Sequence, residues 1–452
     1  MKPEQNSNGN LRLTKTPTGI DGFDHIAFGG LPAGRPTLIA GGPGCGKTVF
    51  GMEFLVHGAR DFDEPGLFVS FEVNQEHLLS DFRSMNLALR HLIDEKKLKI
   101  LQVDLDPTEI VTAGDFSLDA LILRLEAAID AIGAERLVLD TMEKIYSVLP
   151  DSANLRQEIG HLFDWIRQKG LTTVVTGESG DKSLTKRRFE AYISDCVILL
   201  DHRIVEQISN RQLRILKYRG SEHGTDEYPF VIGEQGFSVF PITTAKLDHK
   251  VSQERVSTGI EGLDEMFGGQ GYFRGSSVMA AGKAGTGKST LSAAFARAAC
   301  KRGENVLYLA FEESPDQIIR NMRSVNIDLQ PCRDQGLLHI DAFRPSLRGL
   351  EEHLIKINNL VDVIKPECVV MDPLSGLTEI GTQKEVKAML TRTMDILKSK
   401  EITLFATVLT PGSESPEETE VGISSLMDTW IALDYVIQDS IRLRYIYIVK
   451  SR

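Results

Sequence analysis

No run of apolar residues in this chain approaches the roughly 18 needed to cross a bilayer. Residues 1–10 are polar and lack the apolar core of a signal peptide. Both absences argue against membrane insertion and secretion. Cysteine is scarce and scattered: Cys45, Cys196, Cys300, Cys332 and Cys368 contain no Cys-x-x-Cys pair. Neither a disulfide framework nor a zinc module is suggested, and a reducing, cytoplasmic compartment is expected. Positive charge is also in deficit. The net charge of −12 is the reverse of the basic face with which proteins usually hold a nucleic-acid backbone. The composition argues against nucleic acid as a partner.

What the chain has is length and a repeat. Its 452 residues exceed one ordinary core, and 42% hydrophobic with 25% charged residues is the balance of a globular protein. Thr18-Gly19-Ile20-Asp21-Gly22-Phe23-Asp24 returns as Thr258-Gly259-Ile260-Glu261-Gly262-Leu263-Asp264. Further landmarks recur in the same order: Phe68-Val69-Ser70-Phe71-Glu72 with Tyr308-Leu309-Ala310-Phe311-Glu312, and Leu137-Val138-Leu139-Asp140 with Val369-Val370-Met371-Asp372. Thr172 to Thr176 answers Ile402 to Thr407, and Lys217-Tyr218-Arg219 answers Lys450-Ser451-Arg452. Short β-branched runs alternating with amphipathic stretches predict α/β domains with largely parallel sheets. The expected organisation is a flexible N-terminus over 1–15, a first domain over 16–242, a polar linker over 243–256 and a second domain over 257–452. The first copy continues past its Lys-Tyr-Arg segment whereas the second stops at Arg452, so its end reads as truncated.

The chemistry lies in two glycine-rich turns. Gly41-Gly42-Pro43-Gly44-Cys45-Gly46-Lys47-Thr48 and Gly282-Lys283-Ala284-Gly285-Thr286-Gly287-Lys288-Ser289 each follow a short strand and open an apolar helix. Their spacing, G-x-x-x-x-G-K-[ST], lets successive backbone N–H groups face a phosphate chain at the positive end of a helix dipole. The P-loop reading makes Gly42, Gly44, Cys45, Gly46, Lys47, Thr48 and Val49 one ATP site. Gly285, Thr286, Gly287, Lys288, Ser289 and Thr290 make the other. Lys47 and Lys288 supply charge to the β and γ phosphates, while Thr48 and Ser289 offer hydroxyls to Mg2+. Asp140 and Asp372 end apolar strands, where a carboxylate reaches the metal shell; a helix N-cap is the plainer role for such a residue. Glu72 and Glu312 close another strand and are candidate general bases, Glu313 doubling the second. A surface glutamate opening a helix is the alternative. Cys45 within the loop is open to a redox role or to simple tolerance of a small side chain.

The duplication, Phe311-Glu312-Glu313 and the segment Lys217-Tyr218-Arg219-Gly220-Ser221-Glu222-His223 together resemble the circadian clock protein KaiC family, over roughly residues 16–452. The resemblance implies tandem RecA-like P-loop domains assembled as a homo-hexameric double ring, with ATP between neighbouring chains. It implies a slow ATPase in the first half and a serine/threonine autokinase and autophosphatase in the second. Glu72 and Glu312 become the catalytic glutamates. Lys217, Arg219 and His223, and by the repeat Lys450 and Arg452, become residues directed at a neighbour's ATP; a solvated strand face is their plainer role. Ser424 and Ser425 fall on the phosphorylated pair, although adjacent serines are commonly a turn or cap. Kai-type clock or signalling proteins are the implied partners. Three positions depart from the family pattern. Val73 stands for a second glutamate, Lys387 stands for an arginine whose planar fork lysine lacks, and the partner-docking tail beyond Arg452 is missing.

Two other functions fit the P-loops. A RecA-type DNA-dependent ATPase would call for a basic arm or groove. A nucleotide-gated hexameric scaffold with little kinase activity would fit the departures at Val73 and Lys387.

Overall fold

The computed structural model describes residues 13–85, 87–104, 111–112, 115–116, 118–148, 152–178, 193–205, 208–233, 236–240, 252–347, 349–410, 423–438 and 441–452. The chain divides into two compact units, Met1–Ile242 and Thr243–Arg452. The polar seam at 243–250 lies outside the described residues. Three boundary residues sit differently from the sequence reading. Lys15, assigned to the flexible N-terminus, pairs with Pro32 and donates from Nζ to the carbonyl of Ala27 (2.6 Å). Arg255 and Val256, assigned to the linker, pair with Phe273 and Tyr272. In each case a two-residue strand closes the first turn of its unit, a contact too short to leave a period in the sequence.

In the second unit the strands lie in the order Leu338–Ala342, Val306–Ala310, Cys368–Asp372, Thr403–Leu409, Ser277–Gly282, Thr429–Gln438, Ile441–Ser451. The first unit repeats that order with Leu98–Gln102, Gly66–Ser70, Arg136–Asp140, Thr172–Glu178, Pro36–Gly41, Cys196–Val205, Ile208–Tyr218. It then adds Tyr228–Gly233 and Gly236–Val239. The first six strands of each run pair in parallel and the seventh turns back antiparallel. The central strands are buried end to end, as continuous apolar runs such as Leu137-Val138-Leu139 require when helices cover both faces.

Helices Lys47–Asp61 and Lys288–Lys301 pack on the sheets through Phe50, Phe54 and Leu55 in one unit and Ala293, Phe295 and Ala296 in the other. Two polar residues break this apolar face, Ser292 in the second helix and Glu53 in the first. Glu53, where the second unit has Ala294, is fully buried and accepts the N–H of Phe237 (2.6 Å). Burial pushes its carboxyl up to about 7 against the Phe237 hydrogen bond and the Arg60 charge. Glu53 thereby ties the helix to the added hairpin. A Cβ on Gly46 would lie 2.4 Å from Ile232 of that hairpin, whereas among the described residues nothing lies within 4 Å of the same point on Gly287.

The seventh strands differ accordingly. Gln212 pairs with Pro229, which covers the strand Ile208–Tyr218. In the strand Ile441–Ser451, Leu443, Tyr445 and Tyr447 stand where the first unit has Asn210, Gln212 and Arg214. No helix among the described residues is long and apolar enough to cross a membrane.

Candidate nucleotide sites

Each glycine-rich turn runs from the end of the fifth strand in the order above into a helix. Gly44 and Gly46 have φ of 71° and 104°; Gly285 and Gly287 have 75° and 107°. These left-handed values admit glycine with least strain, and they coincide between the units to within a few degrees. Helices Lys47–Asp61 and Lys288–Lys301 begin with no side-chain cap and no acidic residue in the first turn. Their first N–H groups are therefore left facing the turn, the arrangement that receives an anion.

The lysines fold over their own loops. Lys47 Nζ donates to the carbonyls of Gly41 (2.7 Å) and Gly42 (3.0 Å), and Lys288 Nζ to those of Gly282 (2.8 Å) and Lys283 (2.9 Å). Burial lowers the Lys288 ammonium's pKa, opposed by the charges of Asp372 and Glu312. Beneath the first loop lies Cys45, whose Sγ would be 2.4 Å from a Cβ on Gly41. Burial raises its thiol pKa, so the thiolate that redox chemistry requires is disfavoured. Cys45 is packing.

Asp140 and Asp372 end the strands that the sequence assigned them. Asp140 accepts from Thr48 Oγ1 (3.0 Å) and Thr176 Oγ1 (2.5 Å). Burial raises its pKa, countered by these two hydroxyls and by Lys47. Asp372 accepts from four hydroxyls: Ser289 (3.2 Å), Tyr308 (2.6 Å), Ser292 (3.4 Å) and Thr407. The helix-cap role expected of a lone aspartate after a strand gives way to a bond with the P-loop hydroxyl in both units. Thr176 and Thr407 went unrecognised in the sequence except as strand landmarks, although a threonine at the same repeat position was the available signal. Tyr308 and Ser292 have Phe68 and Gly51 as counterparts and left no repeat signal.

The donor set in each unit is a hydroxyl beside a carboxylate, hard oxygens suited to Mg2+ shared with substrate phosphates. Thr48 with Asp140, and Ser289 with Asp372, are the residues that fit the ion.

Glu72 and Glu312 do not end strands. The strands stop at Ser70 and Ala310. Phe71 and Phe311 still donate to the carbonyls of Asp140 (2.9 Å) and Asp372 (3.0 Å), and the chain then bends. Both glutamates are exposed just beyond that bend. In the first unit Ser70 Oγ accepts the Val73 N–H (3.0 Å), fixing the bend; Ala310 has no hydroxyl to offer. Glu313 is held by Asn321 Nδ2 (3.1 Å).

Lys217 and Lys450 lie away from their own cradles. Lys217 pairs with Val197, which pairs with Leu38, three rows back from Gly41. At 3.3 Å per residue that is about 10 Å towards the opposite edge of the sheet. Lys217 Nζ donates there to the carbonyl of Ser194 (2.7 Å). Lys450 repeats the placement, opposite Trp430 and Met279, and donates to the carbonyls of Met427 (2.5 Å) and Ser424 (3.3 Å). Burial lowers the pKa of both lysines, reinforced by Arg219 and by Arg452 respectively. The two arginines are exposed and share one backbone bond, to the carbonyls of Asp195 (2.8 Å) and Asp428 (3.1 Å). His223 stacks on Tyr218 with ring centroids 6.2 Å apart. Ser424 and Ser425 sit in a turn, the first half-buried and the second exposed; the preceding Gly422 lies outside the described residues. Lys387 is exposed on the helix Gln383–Ser399.

Comparison with known proteins bears on the repeat directly. The family model for the KaiC ATPase domain matches twice, over residues 16–244 and 256–452. The circadian clock protein KaiC2 of Synechocystis sp. is 51% identical over 98% of this chain and 78% of its own length. The circadian clock oscillator proteins KaiC of Acaryochloris marina and Synechococcus elongatus are 37% and 36% identical, each over 96% of the chain and 83% and 84% of their lengths. With one ATPase domain matched in both halves and relatives aligned over 96% or more of this chain, the protein belongs to the KaiC family of ATPases.

Proposed function

We propose that this chain binds Mg-ATP in both units, hydrolyses it in the first and autophosphorylates in the second, as a cytoplasmic homo-hexamer with ATP at subunit boundaries. The observation that carries the reading is the placement of Lys217 and Lys450. Each is rooted towards the strand ends opposite its own cradle, so its natural target is a nucleotide held by a neighbouring chain. There Lys217 and Arg219, with His223, and Lys450 with Arg452 stabilise negative charge developing on the γ-phosphate. Within a cradle, Lys47 or Lys288 orients the phosphates. Mg2+, when bound, neutralises charge on the phosphate oxygens. In the second unit Glu312, seconded by Glu313, takes the hydroxyl proton of Ser424 or Ser425 as its oxygen bonds the γ-phosphorus and ADP leaves. In the first unit Glu72 takes the proton of an attacking water. Partners of the Kai or another signalling type follow from the family.

Mass spectrometry of protein incubated with Mg-ATP tests this by reading phosphosites and assembly mass together. The expected result is a hexamer bearing phosphate on Ser424 or Ser425, lost in the doubly alanine-substituted variant. ADP release without phosphoprotein would instead leave a nucleotide-gated scaffold, and a monomer at saturating Mg-ATP would remove the role of the remote lysines.

A further inference from the structure

Asp372 is held by a set of side chains that Asp140 lacks. Tyr308 is buried in the strand Val306–Ala310 and its hydroxyl reaches Asp372 Oδ2 at 2.6 Å. Ser292, fully buried one turn beyond Ser289, lies 3.0 Å from the Tyr308 hydroxyl and 3.4 Å from the same carboxylate oxygen. The other oxygen, Oδ1, faces Ser289 and Thr407. One carboxylate oxygen is thus pinned from the core side while its sibling points to the P-loop hydroxyl. In the first unit Phe68 and Gly51 occupy the two positions. A Cβ on Gly51 would already lie 2.9 Å from Val138, so that unit has no room for the serine.

We propose that Tyr308, seconded by Ser292, is a positioning residue that fixes the Asp372 carboxylate and so sets the Mg2+ affinity of the second nucleotide site independently of the first. The inference rests on the reading of Ser289 and Asp372 as the metal-binding pair. A carboxylate held by fixed donors loses less freedom on taking a cation, and groups behind metal ligands typically change metal affinity by 10–100-fold when removed. The single hydroxyl of Tyr308 touches Asp372 and Ser292, and Ser292 in turn bonds the Ser289 carbonyl (2.9 Å), so the metal-free affinity measured below separates an effect on Asp372 from one on the cradle.

The test uses the full chain carrying Lys47→Ala, so that nucleotide uptake reports the second site. Binding of a fluorescent, non-hydrolysable ATP analogue is measured against Mg2+ concentration, and again in EDTA. Tyr308→Phe is expected to raise the Mg2+ needed for half-maximal uptake about tenfold with the metal-free affinity unchanged, and Ser292→Ala to shift it less in the same direction. Thermal melting accompanies each variant, and Ser292→Ala carries the test if Tyr308→Phe does not fold. An unchanged Mg2+ midpoint in folded variants, or an equal loss with and without metal, would reduce Tyr308 to core packing and overturn the proposal. Absence of Mg2+-dependent uptake in the Lys47→Ala parent would instead remove the metal-site reading on which it stands.

Discussion

The two halves of this chain hang one device on one framework and then secure it differently. In the second unit the support comes from below: three hydroxyls besides Ser289 grip Asp372. In the first unit Asp140 has a single hydroxyl besides Thr48, and the support comes from the side, where a hairpin sets Ile232 against Gly46 and Glu53 holds that hairpin by the Phe237 N–H. A motif therefore specifies the cradle, while its stiffness and its response to conditions depend on residues outside the motif. In the second half a polar core network holds the carboxylate, and in the first the hairpin of Tyr228–Gly233 and Gly236–Val239 leans on the loop.

The largest expected effect tests whether the halves are independent. Lys47→Ala and Lys288→Ala should each lower nucleotide affinity in their own half about 1000-fold, since truncating a buried, charge-paired group costs 2–5 kcal/mol or more. The other half should retain its affinity. Competition binding with labelled analogue on each variant reads this, and a loss at both sites from one substitution would break the comparison.

Next is the pH response that Glu53 gives the first half, where the second has Ala294. The raised pKa of Glu53 means the folded state holds a proton that the unfolded state releases above about pH 4.5. Its contribution is complete below that value and is lost as pH rises through about 7. The loss amounts to about 3 kcal/mol at 1.36 kcal/mol per unit. Glu53→Gln, which keeps an acceptor for Phe237, should flatten that slope. His57, 3.9 Å from Glu53, is unaltered in the variant. Trp165 reports the first half alone once Trp430 is replaced by Phe, and urea titrations at pH 5 and pH 8 give the difference. Equal slopes in both proteins would show that Glu53 carries no such charge change.

The smallest effect tries to convert one half towards the other. Phe68→Tyr should give Asp140 a further donor and lower the Mg2+ requirement of the first site about threefold, less than the tenfold change at Tyr308 because the companion serine has no room at Gly51. The assay is Mg2+-dependent nucleotide uptake in a Lys288→Ala background.

Much of this was legible in the residues because the cradle is local. Glycines at fixed offsets, a lysine and a hydroxyl define a backbone path whatever surrounds it. The aspartates were legible because an apolar run ending in a carboxylate is conspicuous. Glu72 and Glu312 were read as strand ends, but the strands stop two residues earlier and the chain bends after Phe71 and Phe311, a displacement that pattern alone does not register. Tyr308 and Ser292 were invisible for a different reason. A tyrosine in a strand and a serine in a helix read as ordinary fillers of those elements, and only the parallel pairing of strands 368–372 and 306–310, with the helix Lys288–Lys301 packed on them, brings both to one carboxylate. Glu53 was hidden likewise, since a glutamate within a helix is usually solvated. What sequence could not supply in each case was long-range pairing.

The most direct test of the account is the number of nucleotides that one chain holds. Calorimetric titration of the intact protein with a non-hydrolysable ATP analogue in Mg2+ should end at two per chain, falling to one in either lysine variant. A plateau at one in the unaltered protein, or no heat of binding at all, would contradict the claim that both cradles are working sites.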